Sequence, residues 1–298
     1  MDNTTVPAGT IVVGIDGSAS SNQALHWAIA QARLEHRPLT LAYGVTPHTT
    51  WLDQGGLDRG MVLDSMRSDG VALLEKARDT VTEQDAGIEV HLVLRLVDPR
   101  VLLLDLAHAA NLIVLGSHGR GPIRSLLLGS VGLAVSQHAT CPVVVLRPHQ
   151  TGIVRRGVLV GIDDTEGSRT VLEVAYRLAS QRSLPLTILH CFWDVRTEVD
   201  GPAVVTPGDD SLAPEQLVVA EAVSGMSEKF PDVHVTRTLA RGLADNGLVA
   251  ASRQMDVVVV GSHHRGVLDG LVFGDVSRRV LEHAECVVLV VPVVTEEA

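Results

Sequence analysis

The sequence predicts an α/β protein made of two doubly wound domains in tandem. Three observations predict it: the chain repeats over nearly half its length, short β-branched runs alternate with longer helical patterns, and a glycine-rich segment follows an apolar run at the matching place in each half. Ile11-Val-Val-Gly-Ile-Asp16 matches Val158-Leu-Val-Gly-Ile-Asp163 at an offset of 147, and Pro38-Leu-Thr-Leu41 matches Pro185-Leu-Thr-Ile188 at the same offset. Further on, Gly116 matches Gly261 and His138-Ala-Thr-Cys141 matches His283-Ala-Glu-Cys286 at an offset of 145, so the middle of the second copy has lost two residues. The repeat sets domains at 1–150 and 151–298, with the polar stretch from Pro148 to Arg156 as the linker.

Taken in order through the first half, strands are expected at 10–15, 39–45, 88–95, 111–116 and 142–147, and helices at 19–36, 58–85, 99–109 and 125–138. Leu112-Ile-Val-Leu115 and Val143-Val-Val-Leu146 are wholly apolar, as strands buried on both faces must be. Strands alternating with helices imply right-handed crossovers and a parallel sheet covered on both sides. Ligands of such sheets bind beyond the carboxyl ends of strands at the switch point. Asp16 and Asp163 end a first strand and both glycine segments follow a fourth, so these residues are expected to face one crevice in each domain.

Composition agrees and removes several function classes. The chain has 298 residues, 46% of them apolar and 20% charged, which suits two globular domains. Aromatics are only 3%, so Val, Leu, Ala and Ile must build the cores. The net charge of −11 argues against a general affinity for nucleic acid or anionic membrane. Cys141, Cys191 and Cys286 are too sparse for a disulfide framework and read as buried thiols in a reducing cytosol. No signal-like start and no apolar run of about 20 residues is visible, so a soluble cytoplasmic protein is expected.

The glycine segments carry the chemistry. Residues 116–130 read GSHGRGPIRSLLLGS, a G-x2-G-x9-G-S spacing set by Gly116, Gly119, Gly129 and Ser130. Residues 261–275 read GSHHRGVLDGLVFGD, with His264 at the second glycine and Asp275 at the serine. Glycine lets backbone amides approach a phosphate closely. A Walker A loop is excluded because Pro122-Ile123, not Lys-Ser/Thr, follows Gly121, and a dinucleotide fingerprint fails on both spacing and position. Nucleophile-elbow, H-E-x-x-H and C-x-x-C signatures are missing.

The intact segment resembles the ATP-binding signature of the universal stress protein family. The resemblance spans both halves, through V-G-I-D, G-S-H-G-R-G, L-G-S-V and H-A-x-C-P-V-V-V, and the tandem layout is similar to actinobacterial, particularly mycobacterial, members. It implies two Rossmann-like domains, each a five-stranded parallel sheet, with the tandem standing in for a homodimer joined through the last strands. It implies that Gly14 and Asp16 belong to the site, with Asp16 bonding near the ribose or adenine end and the backbone of Gly44 reading adenine. Gly116 would approach the ribose, and the amides of Gly119, Gly129, Ser130 and Val131, with the Ser130 hydroxyl, would hold phosphates at a helix start. Arg120 and Arg124 would add charge-assisted contacts, and His118, matched by His263, falls in a slot the family varies. The implied ligand is ATP, with Mg²⁺ as a candidate companion.

In the second half Asp163, Cys191, Gly261, Gly266 and Gly274 carry over, but His264 and Asp275 do not fit. By the resemblance, a Cβ at 264 would obstruct the phosphate path, and a carboxylate at 275 would stand where a hydroxyl should donate. Like charges about 4 Å apart repel by about 1 kcal/mol in water and about 4 kcal/mol at an effective dielectric near 20. Weak or absent ATP binding is the favoured reading there, beside a preference for AMP or adenosine and an Asp275-held Mg²⁺. The adjacent His263 and His264 lack a third ligand at suitable spacing and read as loop histidines. Trp51 and Trp193 follow second strands, as nucleotide covers or as packing between domains, and 194–213, rich in Pro and Gly, reads as a mobile loop.

The function implied by the resemblance is nucleotide-dependent regulation of stress response or growth, with at most slow ATP hydrolysis. The implied partners are an adenine nucleotide and a second copy of the tandem chain, without nucleic acid or membrane. Two other readings stand beside it: a slow ATP-hydrolysing or nucleotidyl-transfer enzyme, and an interaction module with vestigial nucleotide binding.

Overall fold

The apolar runs of the first half form strands in a computed structural model that describes residues 6–47, 59–117, 128–147, 155–193, 203–205, 212–264 and 274–294. The chain divides into two units, Met1–Leu146 and Arg147–Ala298. In the first unit the elements run β1 (Thr10–Gly14), α1 (Ala19–Glu35), β2 (Leu39–Gly44), α2 (Arg59–Gln84), β3 (Val90–Arg95), α3 (Pro99–Ala107), β4 (Ala110–Gly116), α4 (Ser130–His138) and β5 (Val143–Leu146). The strands lie in the order β3-β2-β1-β4-β5, all parallel. The order reverses between β1 and β4, which makes their carboxyl ends the switch point.

The core is aliphatic because the strands carry β-branched residues on both faces. Ile11, Val12, Val13, Ile113, Val114, Val144 and Val145 have no exposed surface. Helix α1 buries Ala24, Leu25, Ala28, Ile29 and Ala32, a stripe at helical spacing that lays one face on the sheet. Ser18 starts this helix by accepting a hydrogen bond from the Ser21 amide, and His36 ends it in the left-handed conformation at φ 51°. The helix expected from 125 starts at Ser130 in the described chain, since Gly129 is extended at φ −63° and ψ 149°.

In the second unit the elements run β6 (Val158–Ile162), α5 (Gly167–Arg182), β7 (Leu186–Phe192), β8 (Ala203–Val204), α6 (Ala213–Ala222), α7 (Met226–Lys229), β9 (Val235–Arg241), α8 (Ala244–Ser252), β10 (Val257–His264), α9 (Asp275–His283) and β11 (Val287–Val294). The order is β11-β10-β6-β7-β9-β8, parallel except for β8. That edge strand is absent from the sequence expectation, which made all of 194–213 a loop. Ala203 and Val204 pair antiparallel with Arg241 and Ala240, and a strand of two residues is too short to show a periodicity. The rest of that stretch up to 211, apart from 205, lies outside the described residues. No helix among the described residues is long and apolar enough to cross a membrane.

Candidate functional site

Parallel pairing brings the first-unit candidates together. β1 and β4 run in a register that sets Val13 against Val114, so Asp16 and the Gly116–Ser117 segment leave the sheet side by side. Asp16 fixes the turn into α1: its Oδ1 accepts the Ser18 amide at 2.9 Å, and Ser18 Oγ accepts the Ser21 amide at 3.1 Å. Asp163 repeats this more densely. Its Oδ1 accepts from the Thr165 amide at 3.1 Å, the Thr165 hydroxyl at 2.5 Å and the Ser168 hydroxyl at 2.7 Å. Both carboxylates are thus held at the switch point by the helix that follows them.

Gly116 is a glycine for a packing reason. A Cβ there would lie 2.6 Å from the Ser20 carbonyl carbon and 2.8 Å from the Ser20 Cβ and carbonyl oxygen, so any side chain would push α1 from the strand end. The next residue ties the segment on both sides. The Ser117 amide donates to the Leu146 carbonyl at 3.0 Å, and the Ser117 carbonyl accepts the Gly129 amide at 2.8 Å. The Gly129 amide is thereby spent within the protein. The sequence expectation gave this amide to a phosphate; in the described chain its partner is the Ser117 carbonyl.

What remains at the start of α4 is a helix terminus whose first turn carries no acid. Gly129 is its N-cap and supplies no side-chain hydrogen bond, and the first turn holds no acidic residue. The first-turn amides, those of Ser130 and Val131 among them, have no partner within the helix. They and the helix dipole favour an anion there. Ser130 is exposed and Val131 half-buried, so the terminus is open to solvent.

The second-strand positions differ between the units. At Gly44 a Cβ would come within 2.9 Å of the Pro99 Cα, so the start of α3 packs directly on the strand backbone. The corresponding Cys191 does carry a side chain and lines a cavity together with Ala244 at the start of α8. Burial and the nearby Asp245 carboxylate push the Cys191 thiol up to about 11, which leaves it a poor nucleophile at neutral pH.

That cavity, of about 370 Å³, lies at the carboxyl ends of β6, β7 and β10. Asp163, Cys191, Gly261, Gly274 and Asp275 all line it, so the structure brings together five second-half positions singled out from the sequence. Ile162, Val171, Leu189, Leu248 and Val260 give apolar walls. Ser277 donates its hydroxyl to the Gly261 carbonyl at 2.5 Å, closing α9 on β10. Helix α9 also has an uncapped glycine, Gly274, before it, but its first residue is Asp275, so this terminus carries its own negative charge.

His118, Gly119, Arg120, Arg124, Gly266 and Trp51 lie outside the described residues, as does most of the 148–156 linker. Trp193 is 68% exposed. Among the described residues no group of three His, Cys, Asp or Glu side chains could hold a metal ion.

The sequence profile of the universal stress protein family matches residues 8–147 and again 155–292. The chain belongs to the universal stress protein family. A universal stress protein of Mycobacterium tuberculosis is 33% identical to it over 290 residues, covering 94% of this chain and 95% of that protein. The solved structure of an Archaeoglobus fulgidus universal stress protein shares the fold at 19% identity and a TM-score of 0.68, covering 98% of each chain. A universal stress protein solved in complex with cAMP covers 48% of this chain and 98% of its own, at 25% identity and a TM-score of 0.36.

One feature of this universal stress protein escaped sequence reasoning. His190, 6% exposed at the end of β7, places Nδ1 3.1 Å from the Ile162 carbonyl and Nε2 2.8 Å from Glu215 on α6. A carbonyl only accepts, so Nδ1 donates to Ile162, the residue before Asp163. The pair fastens α6 to the strand end that carries the site. Its one sequence signal is a polar residue inside the apolar run Leu186–Phe192, which gives no hint of a partner 25 residues on.

Proposed function

We propose that the first unit binds an adenine nucleotide at the carboxyl ends of β1 and β4, and that the protein acts as a nucleotide-dependent regulator. The observation that carries this is the start of α4. A glycine cap without a side-chain bond, a first turn without an acid and an exposed Ser130 stand at the end of the G-x2-G-x9-G-S spacing. These residues fit a phosphate group, with the Ser130 and Val131 amides and the Ser130 hydroxyl as donors. Asp16, held at the adjoining strand end, suits the sugar hydroxyls at the other end of the ligand. Mg²⁺ is proposed only as an ion carried by the phosphates, since the described residues supply no metal cluster.

Regulation rather than turnover is proposed because the sequence carries none of the usual catalytic signatures beside the glycine segment. A pair of these tandem chains is proposed as the form in solution. Isothermal titration of ligand-free protein with ATP, ADP, AMP and cAMP tests the reading. Binding of ATP is expected; a folded sample that binds none of the four overturns it. Steady ATP hydrolysis at ordinary enzyme rates, lost on Ser130→Ala, would replace regulation with catalysis.

A further inference from the structure

We infer that the second unit's cavity is a site for a nucleoside-like ligand that carries no phosphate, so that the two units read different ligands. The inference rests on the nucleotide reading of the first unit and extends it to the altered copy.

Size, walls and charge each point the same way. The cavity of about 370 Å³ falls near the low end of the roughly 300–1,000 Å³ range of small-molecule sites, enough for a base and sugar. Its walls are aliphatic, from Val171, Leu189, Leu248 and Val260, and accept a flat apolar body. Its ionisable lining among the described residues consists of the two carboxylates Asp163 and Asp275 and the Cys191 thiol, with no basic side chain. Carboxylates accept hydrogen bonds from sugar hydroxyls or an amine and repel phosphate.

The repeat supplies an internal control. Helices α4 and α9 each follow an extended glycine with no side-chain cap, and their first turns differ in acidity. α4 begins on Ser130 with no acid in its first turn, whereas α9 begins on Asp275, which lines the cavity. The charge that a phosphate would bring to the α4 terminus is already present, in covalent form, at α9. The cavity behind it persists, lined by residues from β6, β7, β10 and three helices.

Cys191 makes the test specific to this cavity. It lines the cavity and is half-buried, while Cys141 is 5% exposed and Cys286 has no exposed surface. Alkylation of the folded full-length chain with N-ethylmaleimide therefore reads Cys191, and Cys191→Ala provides the blank. Adenosine is expected to slow the labelling at a half-protecting concentration at least tenfold below that of ATP. Asp275→Ser is expected to narrow that gap at least tenfold. Three results overturn the inference: no protection by adenosine, protection by ATP equal to or better than that by adenosine, or a gap unchanged in Asp275→Ser. Nucleotide binding by the first unit is followed separately, by titrating ATP into the Cys191→Ala chain. Its failure there would remove the proposed function without altering the labelling result.

Discussion

The Gly129 amide donates to the Ser117 carbonyl at 2.8 Å, fastening the start of α4 to the residue just beyond β4. This bond closes the ends of the glycine-rich segment on each other, although 12 positions separate the two residues in sequence. It also sets which amides remain for a ligand. Gly129 is engaged, and Ser130 and Val131 follow at an open helix terminus.

Ser130→Asp gives the first-unit helix the acid that α9 has in Asp275. The added carboxylate is expected to cost ATP binding between about 1 and 4 kcal/mol, the like-charge repulsion at about 4 Å in water and at an effective dielectric near 20. Calorimetric titration should show at least about a fivefold loss of affinity with the unfolding midpoint nearly unchanged, since an acid in a first turn also favours the helix. Unchanged ATP affinity would show that the α4 terminus does not face the phosphates.

Gly116→Ala tests packing rather than charge. The new methyl would meet the Ser20 backbone at 2.6 Å, and backbone yields less readily than the tip of a flexible side chain. A loss of about 1–3 kcal/mol, the usual cost of overpacking, is expected in urea denaturation, with weakened ATP binding beside it. Wild-type stability together with lost binding would instead assign Gly116 to ligand contact alone.

His190→Leu removes the clamp between β7 and α6. It leaves the Ile162 carbonyl without its side-chain donor and Glu215 without its partner; Glu215, 30% exposed, regains water. A destabilisation of about 1–3 kcal/mol is expected from thermal or urea unfolding. Faster hydrogen exchange should appear in α6 ahead of the sheet core.

Asp98 sets an acid limb. Its side-chain hydrogen bond to the Arg100 guanidinium holds its carboxyl below the usual range, against a smaller opposing effect of burial. A carboxyl lowered on folding contributes stability that is present above its unfolded value, about 3.9, and lost as pH falls through its folded value. Asp98→Asn keeps a capping oxygen at the start of α3 and removes only the charge. Urea midpoints measured from pH 5 to pH 2 should fall less steeply in the variant. Parallel curves would show that the Arg100 contact contributes nothing in solution.

Much of the fold was legible because its signals are local. The run Val143-Val-Val-Leu146 is buried along its length, and the helix expected at 58–85 is found at Arg59–Gln84. β8 was not legible, because its existence depends on the β9 edge and not on its own two residues. The site was legible as a set of positions and less so as roles. Sequence spacing marks Gly116 and Gly129, but only the folded chain shows that one makes room for Ser20 and the other bonds Ser117. The second-unit crevice was legible through Asp163 and Gly261, but not its apolar walls, which come from segments as distant as Ile162 and Val276.

The stoichiometry of ATP on the ligand-free chain tests the central claim most directly. One ATP per chain is predicted in calorimetric titration, with that single site weakened at least about fivefold by Ser130→Asp. Two equivalent ATP sites per chain, or one site indifferent to Ser130→Asp, would contradict the assignment of the triphosphate to the first unit alone.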